Sequence, residues 1–355
     1  MKIAVVLGTR PEIIKMSPVI KELERRKASF FILHTGQHYS YYLDMVFFKQ
    51  LSLPKPRYRL DAGSGSHAEE TARMLVGIEA ALVKEKPDVV LVEGDTNSVF
   101  AGALAAAKLG IRVGHVEAGL RSYDRGMPEE INRVLTDHIA DYLYAPTPEA
   151  RKILLGEGIR EAKILVTGNT IVDAVYQNRK LAEQEEREPL PFPDGGYLLL
   201  TLHRQENVDH WERLANILSG VNRVSRELSL PVVFPVHPRA RKRLNEFGLD
   251  TGNIHTIEPV DFLQFLRLES GAKLIMTDSG GVQEEACILG IPAVTLRDNT
   301  ERPETVAVGA NILAGAQPEK ILEMTKLMLG RKNEWTNPFG DGRAAERIID
   351  SLLEA

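Results

Sequence analysis

The stretch Lys2-Ile3-Ala4-Val5-Val6-Leu7-Gly8, followed by Thr9-Arg10-Pro11-Glu12-Ile13-Ile14-Lys15, contains the plan of the whole chain. An uninterrupted apolar run reads as a strand buried on both faces, as in a parallel sheet covered by helices. A polar turn follows. Pro11 then suits the first turn of a helix, where its missing N–H is not needed.

Working outward, the same unit recurs. Runs rich in Val, Ile and Leu cover residues 2–8, 29–36, 88–95, 112–119, 141–147 and 164–169. A second series covers residues 197–204, 231–237, 254–259, 273–281, 292–298 and 310–315. Amphipathic segments such as 12–25, 69–84 and 98–109 lie between the runs. Alternating strand and helix in two series predicts an α/β chain of two Rossmann-like, doubly wound domains. The 355 residues are too many for one ordinary core, which agrees. The boundary is expected just after Gly168-Asn169-Thr170, ahead of a charged, Pro-containing segment. Residues 1–169 with 341–355 then form the first domain, and residues 170–340 the second.

Composition excludes several classes. Net charge is −5, from 44 basic and 49 acidic residues, so there is no basic excess for nucleic acid or an anionic membrane. The single cysteine, Cys287, cannot form an internal disulfide and reads as a small core residue. The first apolar run is too short for a signal peptide, and no run reaches bilayer length, so a cytoplasmic protein is expected.

In open α/β sheets, ligands bind beyond the carboxyl ends of the strands. Those ends are polar here: Gly8-Thr9-Arg10, Gly36-Gln37-His38, Glu93-Gly94-Asp95, His115-Val116-Glu117, His203-Arg204, His237-Pro238-Arg239 and Asp278-Ser279-Gly280-Gly281. The Ser279-Gly280-Gly281 turn joins a strand to a helix, so backbone N–H groups and a helix start are offered to a diphosphate. Ser279 serves equally as an ordinary helix N-cap. Glu285 lies one turn into that helix, where accepting from ribose hydroxyls suits it better than facing phosphate. Arg10 and Lys15 stand where they could neutralise a diphosphate, or be surface cations. No Gly-x-Gly-x-x-Gly follows the first strand, which argues against a nicotinamide or flavin site, and no P-loop is present.

Asp95 and Glu117 each end a strand, and Glu129-Glu130 open a helix that carries Arg133. Acids gathered at one sheet edge serve proton transfer or pair with Arg121, Arg125 or Arg133. Glu129 is the preferred functional acid of its pair, although a helix start favours acids in any case. His203 is placed for phosphate contact or proton transfer. His115 shares a strand face with Glu117, but no further residue at metal-ligand spacing accompanies it.

These segments together, with Gly114–Arg121, Pro128–Arg133, Thr167–Thr170, residues 297–304 and residues 337–342, resemble the non-hydrolysing UDP-N-acetylglucosamine 2-epimerases along nearly the whole chain. The resemblance implies a glycosyltransferase-B-like architecture with the active site in the cleft between the domains, and a last helix, after Gly342, that crosses back to the first domain. It implies that Arg10, His203, Ser279, Gly280, Gly281, Glu285 and Arg302 hold UDP and that Phe265 lies near the uracil. Asp95, Glu117 and Glu129, with His203, form the implied catalytic set, and Lys15 and Arg133 stand nearby. The implied partner is a UDP-sugar, the implied assembly a homodimer, and no metal or redox cofactor is called for. The same architecture also serves epimerases of modified UDP-acetamido sugars, hydrolysing 2-epimerases and glycosyltransferases. The chain departs from the family pattern at Glu93, where many relatives carry His before Gly-Asp-Thr. It departs again at Gln37-His38-Tyr39-Ser40, where bacterial relatives read Gln-His-Arg in a second, activating substrate site.

Overall fold

The computed structural model describes residues 1–36, 41–63, 65–184 and 192–354. Two compact units emerge: residues 1–177 with 339–355, and residues 178–338. The helix Thr170–Gln184 carries the chain from one unit into the other.

The first unit is built on strands β1 (Lys2–Leu7), β2 (Ser29–His34), β3 (Tyr58–Arg59), β4 (Val89–Glu93), β5 (Arg112–Val116), β6 (Tyr142–Ala145) and β7 (Ile164–Val166). They form one sheet in the order β3-β2-β1-β4-β5-β6-β7, and every pairing is parallel. Successive strands run outward from β1 to β3, and the order then reverses beside β1 at β4. That reversal opens a crevice at the carboxyl ends of β1 and β4. Residues 3–7 of β1 and all of β4 are buried, as expected of a sheet covered on both faces. Ala4, Val6, Leu33, Val90, Val92, Met74, Ile78, Leu82 and Val99 share one core, which joins the sheet to the helices His67–Glu85 and Asn97–Lys108. The last helix, Ala344–Leu353, packs on the helix Arg10–Arg25. Its two leading N–H groups, of Ala344 and Ala345, donate to the Asp173 carboxylate at 3.2 and 3.0 Å, which satisfies donors that a helix start leaves open.

The second unit repeats the design with β8 (Leu198–Thr201), β9 (Val232–Pro235), β10 (Ile254–Ile257), β11 (Leu274–Thr277), β12 (Ala293–Thr295) and β13 (Asn311–Leu313). Their order is β10-β9-β8-β11-β12-β13, again parallel, with the reversal between β8 and β11. The helices Trp211–Leu228 and Pro318–Leu329 cover one face through Leu214, Ile217, Val221, Val224, Ile321 and Met328. The helices Phe262–Gly271 and Gly280–Leu289 cover the other through Leu268, Val282 and Ala286. Cys287 is buried there, as expected of a core residue, and burial pushes its thiol up to about 12. Among the described residues, no helix is long and apolar enough to cross a membrane.

The apolar runs read from the sequence all carry strands. The strand that was not anticipated is β3, whose two residues are too few to show a pattern.

Candidate active site

At the switch point of the first sheet, the turns after β1 and β4 are tied together by Glu12. This carboxylate is buried and accepts from Gly8 N at 2.6 Å, Thr9 Oγ1 at 2.9 Å and Thr96 Oγ1 at 2.6 Å. Burial pushes its carboxyl up to about 7 against those three hydrogen bonds, and the charge on Asp95 adds to the rise. Sequence reasoning passed over Glu12. The spacing Thr9-x-x-Glu12 at a helix start, that of a capping box, was the available signal. Gly8 sits at the closest approach: a Cβ there would lie 2.1 Å from both Ser98 Oγ and Thr35 Oγ1.

Glu117 follows β5 directly and adopts a left-handed backbone, with φ of +68°. A non-glycine residue in this region carries a strain of about 1–3 kcal/mol, which surrounding contacts must offset. One such contact is with Lys15, from the helix Arg10–Arg25, whose ammonium pairs with the Glu117 carboxylate. Lys15 also lies 3.4 Å from Glu93 Oε1. Glu93 is therefore gathered with Lys15 and Glu117. Burial raises the Glu93 carboxyl well above its usual range; Lys15 opposes the rise, and Glu117 and Glu12 add to it.

Asp95, just past β4, pairs with the Arg133 guanidinium. Arg133 reaches Glu130 as well, at 3.0 Å. Glu130 is buried and accepts from Ser122 N, Ser122 Oγ and Tyr123 N at 2.9, 2.9 and 3.0 Å. Burial acts to raise its carboxyl, but these donors and Arg133 outweigh it and hold the group below its usual range. Glu129 stands exposed on the first turn of the same helix, Pro128–Ile139, and makes no hydrogen bond or ion pair among the described residues. The structure thus brings together Asp95, Arg133 and Glu130, with Glu129 outside that network. Neighbouring acids at a helix start look alike in sequence, and only the side on which Arg133 lies separates them.

His115 is fully buried between Asp137 Oδ1, 2.7 Å from Nδ1, and the Gly94 carbonyl, 2.8 Å from Nε2. Asp137 also receives Arg121 at 2.7 Å and Gly119 N at 3.1 Å. His115 therefore fixes the turn that presents Asp95 and has no open edge for a ligand. Its partner Asp137 lies 22 residues away, beyond the reach of local spacing. Arg10 is exposed, with its guanidinium 5.8 Å from the Phe47 ring centre. Tyr39 and its neighbours 37–40 fall outside the described residues.

In the second unit, the switch point joins β8 and β11 through Asp278. This buried carboxylate accepts from the backbone N–H groups of His203 and Arg204 at 3.1 and 3.0 Å, and from Asn207 Nδ2 at 3.1 Å. His203 Nδ1 lies 3.0 Å from Asp278 Oδ1, which leaves the Nε2 edge of a partly exposed ring pointing away from the carboxylate. Ser279 caps the helix Gly280–Leu289, its hydroxyl accepting from Val282 N at 3.5 Å. At Gly281 a Cβ would meet nothing nearer than Ser279 Oγ at 3.9 Å, so no neighbour among the described residues demands glycine there. Glu285 is buried further along, near the fully buried Glu269, whose carboxyl is raised well above its usual range by burial, with the Glu285 charge adding to the rise. Arg302 pairs with Glu284 at 2.7 Å. Phe265 packs on the core beside Val282 and Ala286. Among the described residues no group of three His, Cys, Asp or Glu is arranged to hold a metal ion.

Comparison with known proteins bears on this geometry. The family model described as UDP-N-acetylglucosamine 2-epimerase matches residues 21–353. UDP-N-acetylglucosamine 2-epimerase of Methanocaldococcus jannaschii is 57% identical over 361 residues, covering 99% of each chain. The protein of the same name from Methanococcus maripaludis is 56% identical over 361 residues, covering 99% of this chain and 98% of its own. A crystal structure of the M. jannaschii enzyme in complex with UDP-GlcNAc and UDP superposes with a TM-score of 0.87 at 55% identity, over 100% of both chains. The chain belongs to the UDP-N-acetylglucosamine 2-epimerase family.

Proposed function

We propose that the protein interconverts UDP-N-acetylglucosamine and UDP-N-acetylmannosamine by eliminating UDP and adding it back through 2-acetamidoglucal. The observation that carries this reading is the pair of carboxylates at one end of one sheet, each held by its own cation: Glu117 by Lys15 and Asp95 by Arg133. Family membership supplies the substrate.

The chemistry accounts for such a pair. The C2 proton of an acetamido sugar has no adjacent carbonyl and is not acidic. Breaking the C1–O bond sends its electron pair out with UDP and builds positive charge at the ring, which loosens the C2 proton. A carboxylate takes that proton, and the C2–H bonding pair becomes the C1–C2 double bond. Protonation at C2 from the other face, with return of UDP to C1, gives the inverted sugar. Two acid–base groups on opposite faces are needed, and Asp95, Glu117 and Glu129 are the proposed candidates. Arg10, His203, Arg302 and the Ser279–Gly281 turn are proposed to hold the departing diphosphate, where fixed donors stabilise developing charge. Glu285 is the proposed ribose acceptor and Phe265 the uracil neighbour. The family reading further proposes a cytoplasmic homodimer.

Chromatography of an incubation with UDP-N-acetylglucosamine tests the reading. UDP-N-acetylmannosamine is the expected product, approached from either side. Free N-acetylmannosamine with UDP, or an unchanged substrate, would contradict it. Asp95→Asn and Glu117→Gln should each lose roughly 10²–10⁴-fold in rate.

A further inference from the structure

Glu93 closes β4 and is 2% exposed. In the sheet it pairs with Val116, the residue before Glu117. Lys15 approaches both acids, paired with Glu117 and 3.4 Å from Glu93 Oε1. The approach to Glu93 is an ion pair without hydrogen-bond alignment, so Glu93 Oε1 has no donor among the described residues. One ammonium thus faces two carboxyls in a buried place. Two ionised carboxylates side by side there are costly, and a single proton between them removes the conflict.

We infer that Glu93 is protonated and donates a hydrogen bond to the Glu117 carboxylate, so that it acts as a positioning residue for Glu117 in the proposed epimerisation. The inference rests on the proposed function for its consequence in catalysis. Lys15 and Glu12, from the helix Arg10–Arg25, and Glu117, after β5, are the charged groups acting on Glu93. The other ionisable groups at this sheet edge are engaged elsewhere: Asp95 with Arg133, and His115 with Asp137. Burial, the Glu117 charge and the Glu12 charge all favour a neutral Glu93 over the opposing effect of Lys15.

The proton inventory is simple. Glu117 at rest is ionised and takes one proton from C2, while the C1–O electron pair leaves with UDP. The Glu93 proton stays in place throughout. Its hydrogen bond aims the Glu117 carboxylate and keeps it from binding a proton of its own at rest, since a hydrogen bond to the charged form favours that form. Rising pH removes the Glu93 proton and places a second charge against Glu117.

The experiment is a pH profile of kcat and KM for UDP-N-acetylglucosamine epimerisation by the full chain, its Glu93→Gln variant and its Glu93→Leu variant. Glutamine keeps a donor at every pH. Its profile should keep the wild-type plateau within about twofold and carry its alkaline limb about one pH unit or more higher. Leucine fits a buried site and has no donor. It should lower kcat about 10-fold or more with KM little changed, the loss of one hydrogen bond to a charged group. An alkaline limb unmoved by Glu93→Gln, full activity in Glu93→Leu, or equal losses in both variants would overturn the inference. A wild-type chain that does not epimerise at all would instead sink the proposed function.

Discussion

His203 Nδ1 lies 3.0 Å from Asp278 Oδ1, across the two strands that flank the switch point of the second sheet. Asp278 is buried, and burial acts to raise its carboxyl. His203, the Arg204 N–H and the Asn207 amide outweigh that and hold it below its usual range. A carboxyl depressed in the folded state contributes stability above its unfolded value, near pH 4, and that contribution is lost as pH falls through the folded value. Asp278→Asn should therefore cost about 3 kcal/mol near neutral pH, since backbone donors lose a charged acceptor. The deficit should shrink in acid. Urea unfolding at pH 7 and pH 3 checks both statements, and an equal deficit at the two values would refute the charge argument.

Glu12 works in the opposite sense. Its carboxyl is raised from 4.5 to about 7 by burial. The folded chain therefore holds this proton more tightly than the unfolded chain. The associated stability is complete below the unfolded value and is lost as pH rises through about 7, a change of about 3 kcal/mol in all. Glu12→Gln should flatten the part of the stability profile between about pH 5 and 8. Parallel thermal unfolding of the two proteins across this range measures it. A wild-type profile no steeper than that of the variant would rule Glu12 out as the source.

Glu129 and Glu130 divide by measurement. Glu130 is buried among three donors from the 122–123 turn and Arg133. Glu130→Gln should lower stability by about 1–3 kcal/mol, because N–H and O–H donors are left facing an amide. Glu129→Gln, at an exposed position, should leave stability within about 0.5 kcal/mol. The proposed catalytic role adds that Glu129→Gln loses rate with no loss of stability. Denaturation midpoints and initial rates of the two variants, taken together, decide it: a stable Glu129→Gln with full activity removes Glu129 from the acid–base set.

Arg133 joins Asp95 to Glu130 and so should be sensitive even to a conservative change. Arg133→Lys keeps the charge but cannot serve two carboxylates from one planar fork. A loss of about 10²-fold in kcat is expected. Unchanged kcat would show that the aim of Asp95 does not depend on this contact.

The layout of both sheets was legible because continuous apolar runs are what a doubly covered parallel strand requires. The carboxyl ends were legible for a related reason: Thr9, Asp95, Glu117 and Asp278 are polar residues placed where an apolar run stops. What could not be read was pairing across distance. Nothing near Glu93 in the sequence announces Lys15, and nothing near His115 announces Asp137, because the sheet brings them together from different turns. Glu130 was likewise indistinguishable from Glu129 until Arg133 was placed. The strained backbone of Glu117 has no sequence mark at all, since a glutamate at +68° is set by its surroundings rather than by its own preference.

A time course of UDP-N-acetylglucosamine with the enzyme in D2O, followed by proton NMR, tests the central proposal most directly. Elimination and re-addition predict deuterium at C2 of the UDP-N-acetylmannosamine formed, with UDP still attached to the sugar at equilibrium. Epimerised product that keeps its C2 proton would contradict the mechanism.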